Sequence, residues 1–223
     1  MSSEMALAEW LERRFDLVTA SDVPAIMGLN PYCSRKQILR EKLARQSQNL
    51  EDNARVQAGV HLERGIFEWF LHAHGFKGVH NTERMIVTSP ASGFPWLGCT
   101  PDAWLELDDS TRRVPVEIKN VGFMSQWTKE PESELCVPDV WTAEAHERQY
   151  PRGEVSAPLY YVVQLLTQMH CLDAVEGWLV VLVGGQARLD LHYRRRRAWE
   201  DNVMLPAVAD FWRELEGARR GQA

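Results

Sequence analysis

The sequence predicts an α/β protein: a mixed central β-sheet flanked by helices. Three observations carry that expectation. The predicted elements run as helices, a strand meander, an apolar helix, a strand hairpin and a last helix, the order expected of helices packed on a sheet. The composition is globular, with 45% hydrophobic and 25% charged residues and no long biased tract. One segment, Val114-Pro115-Val116-Glu117-Ile118-Lys119-Asn120, reads as a strand that carries Glu and Lys two residues apart. At 223 residues a single domain is the better expectation, with N-terminal helices over 1–50, a core over about 52–193 and a C-terminal helix over about 194–217.

Each element follows from local signals. Met5, Leu7, Trp10 and Leu11 form the apolar stripe of a helix over 3–15. Thr19-Ala20-Ser21-Asp22 reads as a helix start capped by Ser21 or Thr19, opening a short helix through Pro24–Met27 that stops at Gly28. After the Asn30-Pro31 turn, a helix runs from Ser34 to about Arg45. Residues 52–74 predict a long helix with Val56, Val60, Ile66, Phe67, Phe70 and Leu71 on its buried stripe and Gly75 as its stop. Strands follow at about 79–88, 95–100, 103–107 and 113–120, with a turn at Asp108-Asp109-Ser110. Residues 121–157 hold three prolines and a weak helical patch at 142–149, and read as a long loop or insertion. An apolar helix over 158–171 leads to strands at 176–183 and 187–193 joined by Gly184-Gly185. The last helix is expected to bend at Pro206.

The charge balance is acidic, −6 from 25 Lys and Arg against 31 Asp and Glu. That argues weakly against nucleic acid, because phosphate contacts need cations, but local distribution matters more than the sum. Basic residues cluster at Arg13-Arg14, Arg35-Lys36 and Arg194-Arg195-Arg196-Arg197. The four-arginine run reads equally well as a solvated helix start or as a phosphate contact. The four cysteines are too widely spaced for a zinc or iron–sulfur site. No signal peptide and no membrane-length apolar run is visible, so a cytoplasmic address with reduced thiols is expected.

The Glu-x-Lys strand points to chemistry. Alternate side chains leave opposite faces of a strand, so Glu117 and Lys119 share one face and Ile118 takes the other. Glu117 can bind a hard cation, Lys119 can sit beside an attacking water, and Asp102, in Gly98-Cys99-Thr100-Pro101-Asp102, can supply a second carboxylate. That is the minimum equipment for metal-assisted hydrolysis of a phosphodiester. Taken alone, a Pro-Asp dipeptide reads as a turn, and Glu and Lys at i and i+2 as a solvent-facing strand pair. A hydroxyl at a helix N-terminus, as at Ser21, suits phosphate, and Arg14 adds a two-pronged donor.

Five stretches in order give the chain its resemblance. They are Arg14 with Thr19-Ala20-Ser21-Asp22, Gly59-Val60-His61-Leu62-Glu63, Cys99-Thr100-Pro101-Asp102, Glu117-Ile118-Lys119, and Tyr161-Val162-Val163-Gln164. The chain resembles the YqaJ and lambda-type phage alkaline exonucleases of the PD-(D/E)XK nuclease superfamily. The resemblance implies a restriction-endonuclease-like core and Mg²⁺, with Mn²⁺ as a substitute. It implies Asp102, Glu117, the Ile118 carbonyl and Glu63 at the metal, and Lys119 and Gln164 as catalytic partners. It also implies that Arg14 and Ser21 hold a 5′-phosphate. Gln168, one turn beyond Gln164, is the lesser alternative, and His61 reads as structural. Gly59 inside a helix costs about 1 kcal/mol relative to Ala, and a close backbone or DNA approach would explain it.

The expected activity is a Mg²⁺-dependent 5′→3′ exodeoxyribonuclease on linear double-stranded DNA, releasing 5′-mononucleotides and leaving 3′ tails for phage-type recombination. The resemblance further implies a homotrimeric ring around DNA, a single-strand annealing protein as partner, and a phage or prophage gene expressed in a bacterial host. The region from Lys119 to Tyr161, with Trp127, Trp141 and His146, departs from the lambda-type pattern. The competing readings are an endonuclease of the same superfamily and a non-catalytic module that binds DNA ends.

Overall fold

The structure, a computed structural model, describes residues 3–47, 53–90, 93–106, 112–122, 127, 131–144 and 155–222. It contains the expected mixed sheet. Helices α1 (Ser3–Phe15), α2 (Val23–Ile26), α3 (Arg35–Ala44) and α4 (Ala54–His74) precede most of the strands, with β1 (Val18–Thr19) between α1 and α2. There follow β2 (Gly78–His80), β3 (Val87–Thr88), β4 (Leu97–Cys99), β5 (Ala103–Glu106), β6 (Arg113–Val121), β7 (Val140–Glu144), α5 (Leu159–Cys171), β8 (Glu176–Val183) and β9 (Ala187–Arg194). Two helices close the chain, α6 (Arg197–Trp199) and α7 (Leu205–Gln222), joined by a π-helical turn at Glu200–Met204.

The main sheet has the order β2-β5-β6-β8-β9-β7, and a smaller one the order β1-β4-β3. In the main sheet only β6 and β8 pair in parallel, with Glu117 opposite Leu179 and Lys119 opposite Val181. A parallel pair needs a crossover, and α5 supplies it. The alternation of β8 sets the two layers. Leu179, Val181 and Val183 pack on α5, whereas Val180 and Leu182 join Ile66, Phe67 and Phe70 of α4 on the other face. Ile118 falls in that second cluster, so Glu117 and Lys119 are turned toward α5. A third cluster gathers α2, α7 and the small sheet around Val163 and Cys171 of α5.

Several boundaries follow the local signals. Gly75 ends α4 in the left-handed region at φ 67°, donating its N–H to the Leu71 carbonyl. Gly184 and Gly185 take φ 58° and 71°, the two positive φ values of a type I′ turn, closed by Gln186 N–H to the Val183 carbonyl at 3.1 Å.

Other expectations are corrected. The single strand expected over 79–88 is two short strands, β2 and β3, in different sheets. Asn81 breaks it: its carboxamide bonds Met85 N–H (2.8 Å), the Met85 carbonyl and the Pro101 carbonyl, turning the chain. Residues 140–144, expected as loop and helical patch, form β7, which completes the sheet by pairing with β9. That pairing is non-local and leaves no periodic mark. His146 and the Asp108-Asp109-Ser110 turn lie outside the described residues.

Val56 and Val60, expected in the buried stripe of α4, are 37% and 54% exposed: α4 packs on the sheet through Ile66, Phe67 and Phe70, and Val60 opens onto a cleft. Neither Ser21 nor Thr19 caps α2. Its N-cap is Asp22, whose carboxylate turns back to accept from Thr19 N and Oγ1 and from Lys42 Nζ. Pro206, where a bend was expected, falls in the first turn of α7, directly after the π turn. Proline lacks the N–H that would pair with the carbonyl of residue 202, and the π turn at Glu200–Met204 absorbs the mismatch.

Candidate active site

A cleft of about 500 Å³ opens where α1, α4, β6 and α5 approach one another, and Arg14, Ser21, Glu63, Asp102, Glu117, Lys119 and Gln164 all line it. These are the residues that the sequence singled out from five separate stretches, apart from Ile118. The main sheet and its two helical layers bring them together.

Glu117 is the centre. Only 1% of its side chain is exposed, and burying a carboxylate is costly unless its oxygens are bonded. Lys119 Nζ and Gln164 Nε2 (2.6 Å) donate to Oε1, and Gln168 Nε2 donates to Oε2 at 2.5 Å. Gln164 and Gln168 stand one turn apart on α5, so their spacing delivers a donor to each oxygen. Gln168 is therefore a full member of the site rather than a lesser alternative. The signal that points to it is its spacing, four residues after Gln164 on a largely apolar helix.

Asp102 lies just before β5, and its Oδ2 accepts the Ile118 N–H at 2.8 Å. In an extended strand the N–H and C=O of one residue leave on the same edge, so the Ile118 carbonyl also leaves β6 on the edge nearest Asp102. Burial first, then the charge of Glu117, pushes the Asp102 carboxyl well above its ordinary value. Glu63 on α4 accepts from or donates to His80 Nε2 at 2.7 Å, and burial raises it as well. Lys119 is pulled down by burial, but Glu117 and Asp102 outweigh that and raise it, so it holds its proton.

Around Glu117, three carboxyl groups face one ammonium, while Arg14 and Arg84 lie by Trp10. Two of them resist ionisation, and Gln168 Oε1 is a buried acceptor that meets no donor among the described residues. A hard divalent cation with its waters answers each of these features, so the residues fit Mg²⁺. Among the described residues no three His, Cys, Asp or Glu side chains close into a protein-only cage. Mg²⁺ does not require one, since it keeps several waters.

At the other end of the cleft, Arg14 Nη2 donates to Ser21 Oγ at 3.0 Å, and its guanidinium lies 4.6 Å from the centre of the Trp10 ring. Lys42, pinned by Asp22, bonds the Arg14 carbonyl at 2.8 Å. Burial raises Asp22, but Lys42 and Arg14 reverse that and hold its carboxyl below the usual range. Trp10, His80 and Arg84 also line the cleft, and sequence reasoning missed them as site residues. Trp10 sits four residues before Arg14 on α1, a spacing that places the two on one face. His80 and Arg84 enter only through the pairing of β2 with β5 and the Asn81 turn.

The remaining expectations resolve differently. His61 is exposed and lies outside the cleft lining. Among the described residues a Cβ at Gly59 would meet nothing within 4 Å, so no backbone approach there explains that glycine. The arginine run is largely engaged within the protein. Arg195 pairs with Glu200 and Asp173, Arg196 with Asp139, and Arg197 with Asp173.

A family model described as the YqaJ-like viral recombinase domain matches residues 9–174. The chain belongs to the YqaJ-like viral recombinase family. No curated protein matches it in sequence. This YqaJ-like chain shares its fold with the alkaline exonuclease LHK-Exo from Laribacter hongkongensis, at TM-score 0.65 and 20% identity over 96% of this chain and 95% of that one. A second structure of LHK-Exo, in complex with dAMP, matches to the same extent. A phage-related exonuclease from Haemophilus somnus 129PT aligns at TM-score 0.57 and 12% identity over 93% of this chain and 96% of that one. No helix among the described residues is long and apolar enough to cross a membrane.

Proposed function

We propose that this YqaJ-like chain is a Mg²⁺-dependent 5′→3′ exodeoxyribonuclease. It acts on the ends of linear double-stranded DNA, releases 5′-mononucleotides and leaves 3′ single-stranded tails. The observation that carries the reading is the sharing of one cleft by Arg14–Ser21 and Asp102–Glu117–Lys119. A phosphate anchor and a hydrolytic centre at a fixed separation measure from a strand end. The dAMP held by LHK-Exo is a deoxynucleoside monophosphate, the class of product this reaction releases.

Asp102, Glu117, the Ile118 carbonyl and, directly or through water, Glu63 would hold the ion. When bound, Mg²⁺ lowers the pKa of water and offsets charge at the scissile phosphate and the departing 3′ oxygen. Lys119, protonated, orients the attacking water and faces the charge that builds on phosphorus. Gln164 and Gln168 fix both Glu117 oxygens, so its carboxylate is already oriented when substrate arrives. Arg14 and Ser21 bind the terminal 5′-phosphate, and the Lys42 contact to the Arg14 carbonyl steadies that end of α1. The homotrimeric ring, the annealing protein and the phage origin implied by the resemblance belong to the same proposal.

Linear duplexes labelled at either end, with 5′-phosphate or 5′-hydroxyl termini, test it. Mg²⁺-dependent loss of the 5′ label as mononucleotide, favoured by the phosphate, is expected. Nicking of covalently closed circles at a comparable rate would instead make the chain an endonuclease. Duplex binding without any product in Mg²⁺ would make it a non-catalytic end-binding module.

A further inference from the structure

A second groove, of about 690 Å³, lies beyond Lys119 from the cleft. The two share three elements. α4 gives Arg55 to the groove and Glu63 to the cleft, β6 gives Asn120 and Lys119, and α5 gives Tyr160 and Gln164. Lys119 Nζ stands 5.3 Å from the centre of the Tyr161 ring, at the join.

The groove is lined by aromatic faces. Tyr160 lies 4.2 Å from Tyr161, centre to centre, and Tyr161 stacks on the buried Trp127 at 5.7 Å and 19°. Tyr32, 73% exposed, meets Tyr160 edge-on at 6.1 Å. Gly122 and Gly185 contribute bare backbone, and a Cβ on either would meet nothing within 4 Å. In a protein of net charge −6, none of the described residues lining this groove is acidic, and Arg55 supplies a cation. An exposed tyrosine beside others, a backbone floor and positive charge without carboxylates suit unpaired bases and their phosphates.

We propose that this groove holds single-stranded DNA, with bases stacked on Tyr32 and Tyr160 and a backbone phosphate at Arg55. On the exonuclease reading, on which the choice of strand rests, the occupant is the 3′-ended strand freed as its partner is digested. That strand must leave from beside the site where its complement is cut, and the groove begins there.

The test compares, in EDTA, the affinity of the full chain for a blunt duplex and for the same duplex bearing a 3′ oligo-dT tail, by fluorescence anisotropy. The wild type should prefer the tailed duplex. Tyr32→Ala and Tyr160→Ala should each reduce that preference about tenfold, and Tyr160→Phe should retain it, as stacking requires. Tyr32 is exposed, so its variant avoids loss of folding. An unchanged preference in both alanine variants overturns the proposal. So does a preference abolished by saturating dAMP, which would make the groove a mononucleotide site. A Tyr32→Ala variant that changes the assembly mass but not the preference makes it a subunit contact instead. Digestion in Mg²⁺ is measured in parallel. A wild type that prefers tails yet digests nothing keeps the groove and sinks the exonuclease reading.

Discussion

Gln168 donates to Glu117 Oε2 at 2.5 Å from a side chain only 1% exposed, on the opposite side of the carboxylate from Gln164. The two glutamines fix the plane of the carboxylate that β6 buries against α5. Gln168→Ala leaves Oε2 without its protein donor, and an unsatisfied buried acceptor costs about 1–3 kcal/mol. The expected result is a stability loss of that order in urea unfolding, with at least a tenfold fall in Mg²⁺-dependent digestion. Digestion at the wild-type rate would show that Gln168 is packing alone.

Glu117→Ala removes the group on which Lys119, Gln164 and Gln168 converge. Cleavage should be abolished while duplex binding, carried by Arg14 and other cations, is largely kept. Gel shift and end-label release measured on one preparation separate the two. Cleavage near the wild-type rate would remove Glu117 from the site.

Asp102 gives a readout independent of activity. Its carboxyl is raised by burial and by Glu117, so the folded state binds its proton more tightly than the unfolded chain. Its contribution to stability is therefore greatest below the ordinary value of 3.8 and declines as pH rises toward the folded value. At neutral pH without divalent cations, Asp102→Asn should melt higher than the wild type. Adding Mg²⁺ should raise the wild-type melting temperature and leave the variant nearly unmoved. Equal Mg²⁺ shifts in both proteins would place the ion elsewhere.

Asp22 has the opposite sign. Lys42 at 2.7 Å and Arg14 hold it below 3.8 despite burial, so its contribution is present above 3.8 and lost as pH falls through the lower folded value. Asp22→Asn leaves Lys42 buried without its counter-ion, and breaking such a pair costs about 3–5 kcal/mol. Denaturant titrations at pH 7 and in acid should show a gap between wild type and variant that closes in acid. A gap constant across pH would assign the loss to packing.

Arg14→Ala should weaken the preference for 5′-phosphate over 5′-hydroxyl ends by about tenfold, as loss of a charged two-pronged contact predicts, with little change on hydroxyl ends. An unchanged ratio makes Arg14 a bystander.

Much of the cleft is legible in the sequence. Asp102, Glu117 and Lys119 announce themselves because an Asp ahead of a strand and a Glu-x-Lys within one are unlike an ordinary apolar sheet core. Glu63 and Gln164 came from the resemblance, since a helical glutamate or glutamine has no local mark of function, and the resemblance made the phosphate chemistry of Arg14 and Ser21 a 5′-end site. Gln168 was undervalued because a glutamine among Leu165, Leu166 and Met169 looks like a satisfied core residue until its partner is known.

The sequence by itself determined the periodic elements: α4, α5, β6 and the β8–β9 hairpin, each written in spacing, glycine and apolar runs within one segment. Tertiary structure decided what depends on partners. It made β7 a strand by giving it β9, split 79–88 between two sheets, left Val56 and Val60 exposed, and carried the Pro206 mismatch back to Glu200–Met204. It also decided that Lys119 keeps its proton, because burial alone lowers a lysine and the charges brought close by the sheet, Glu117 and Asp102 foremost, reverse the sign. Spacing along a chain encodes local periodicity; pairing, burial and charge balance arise only between segments far apart in it.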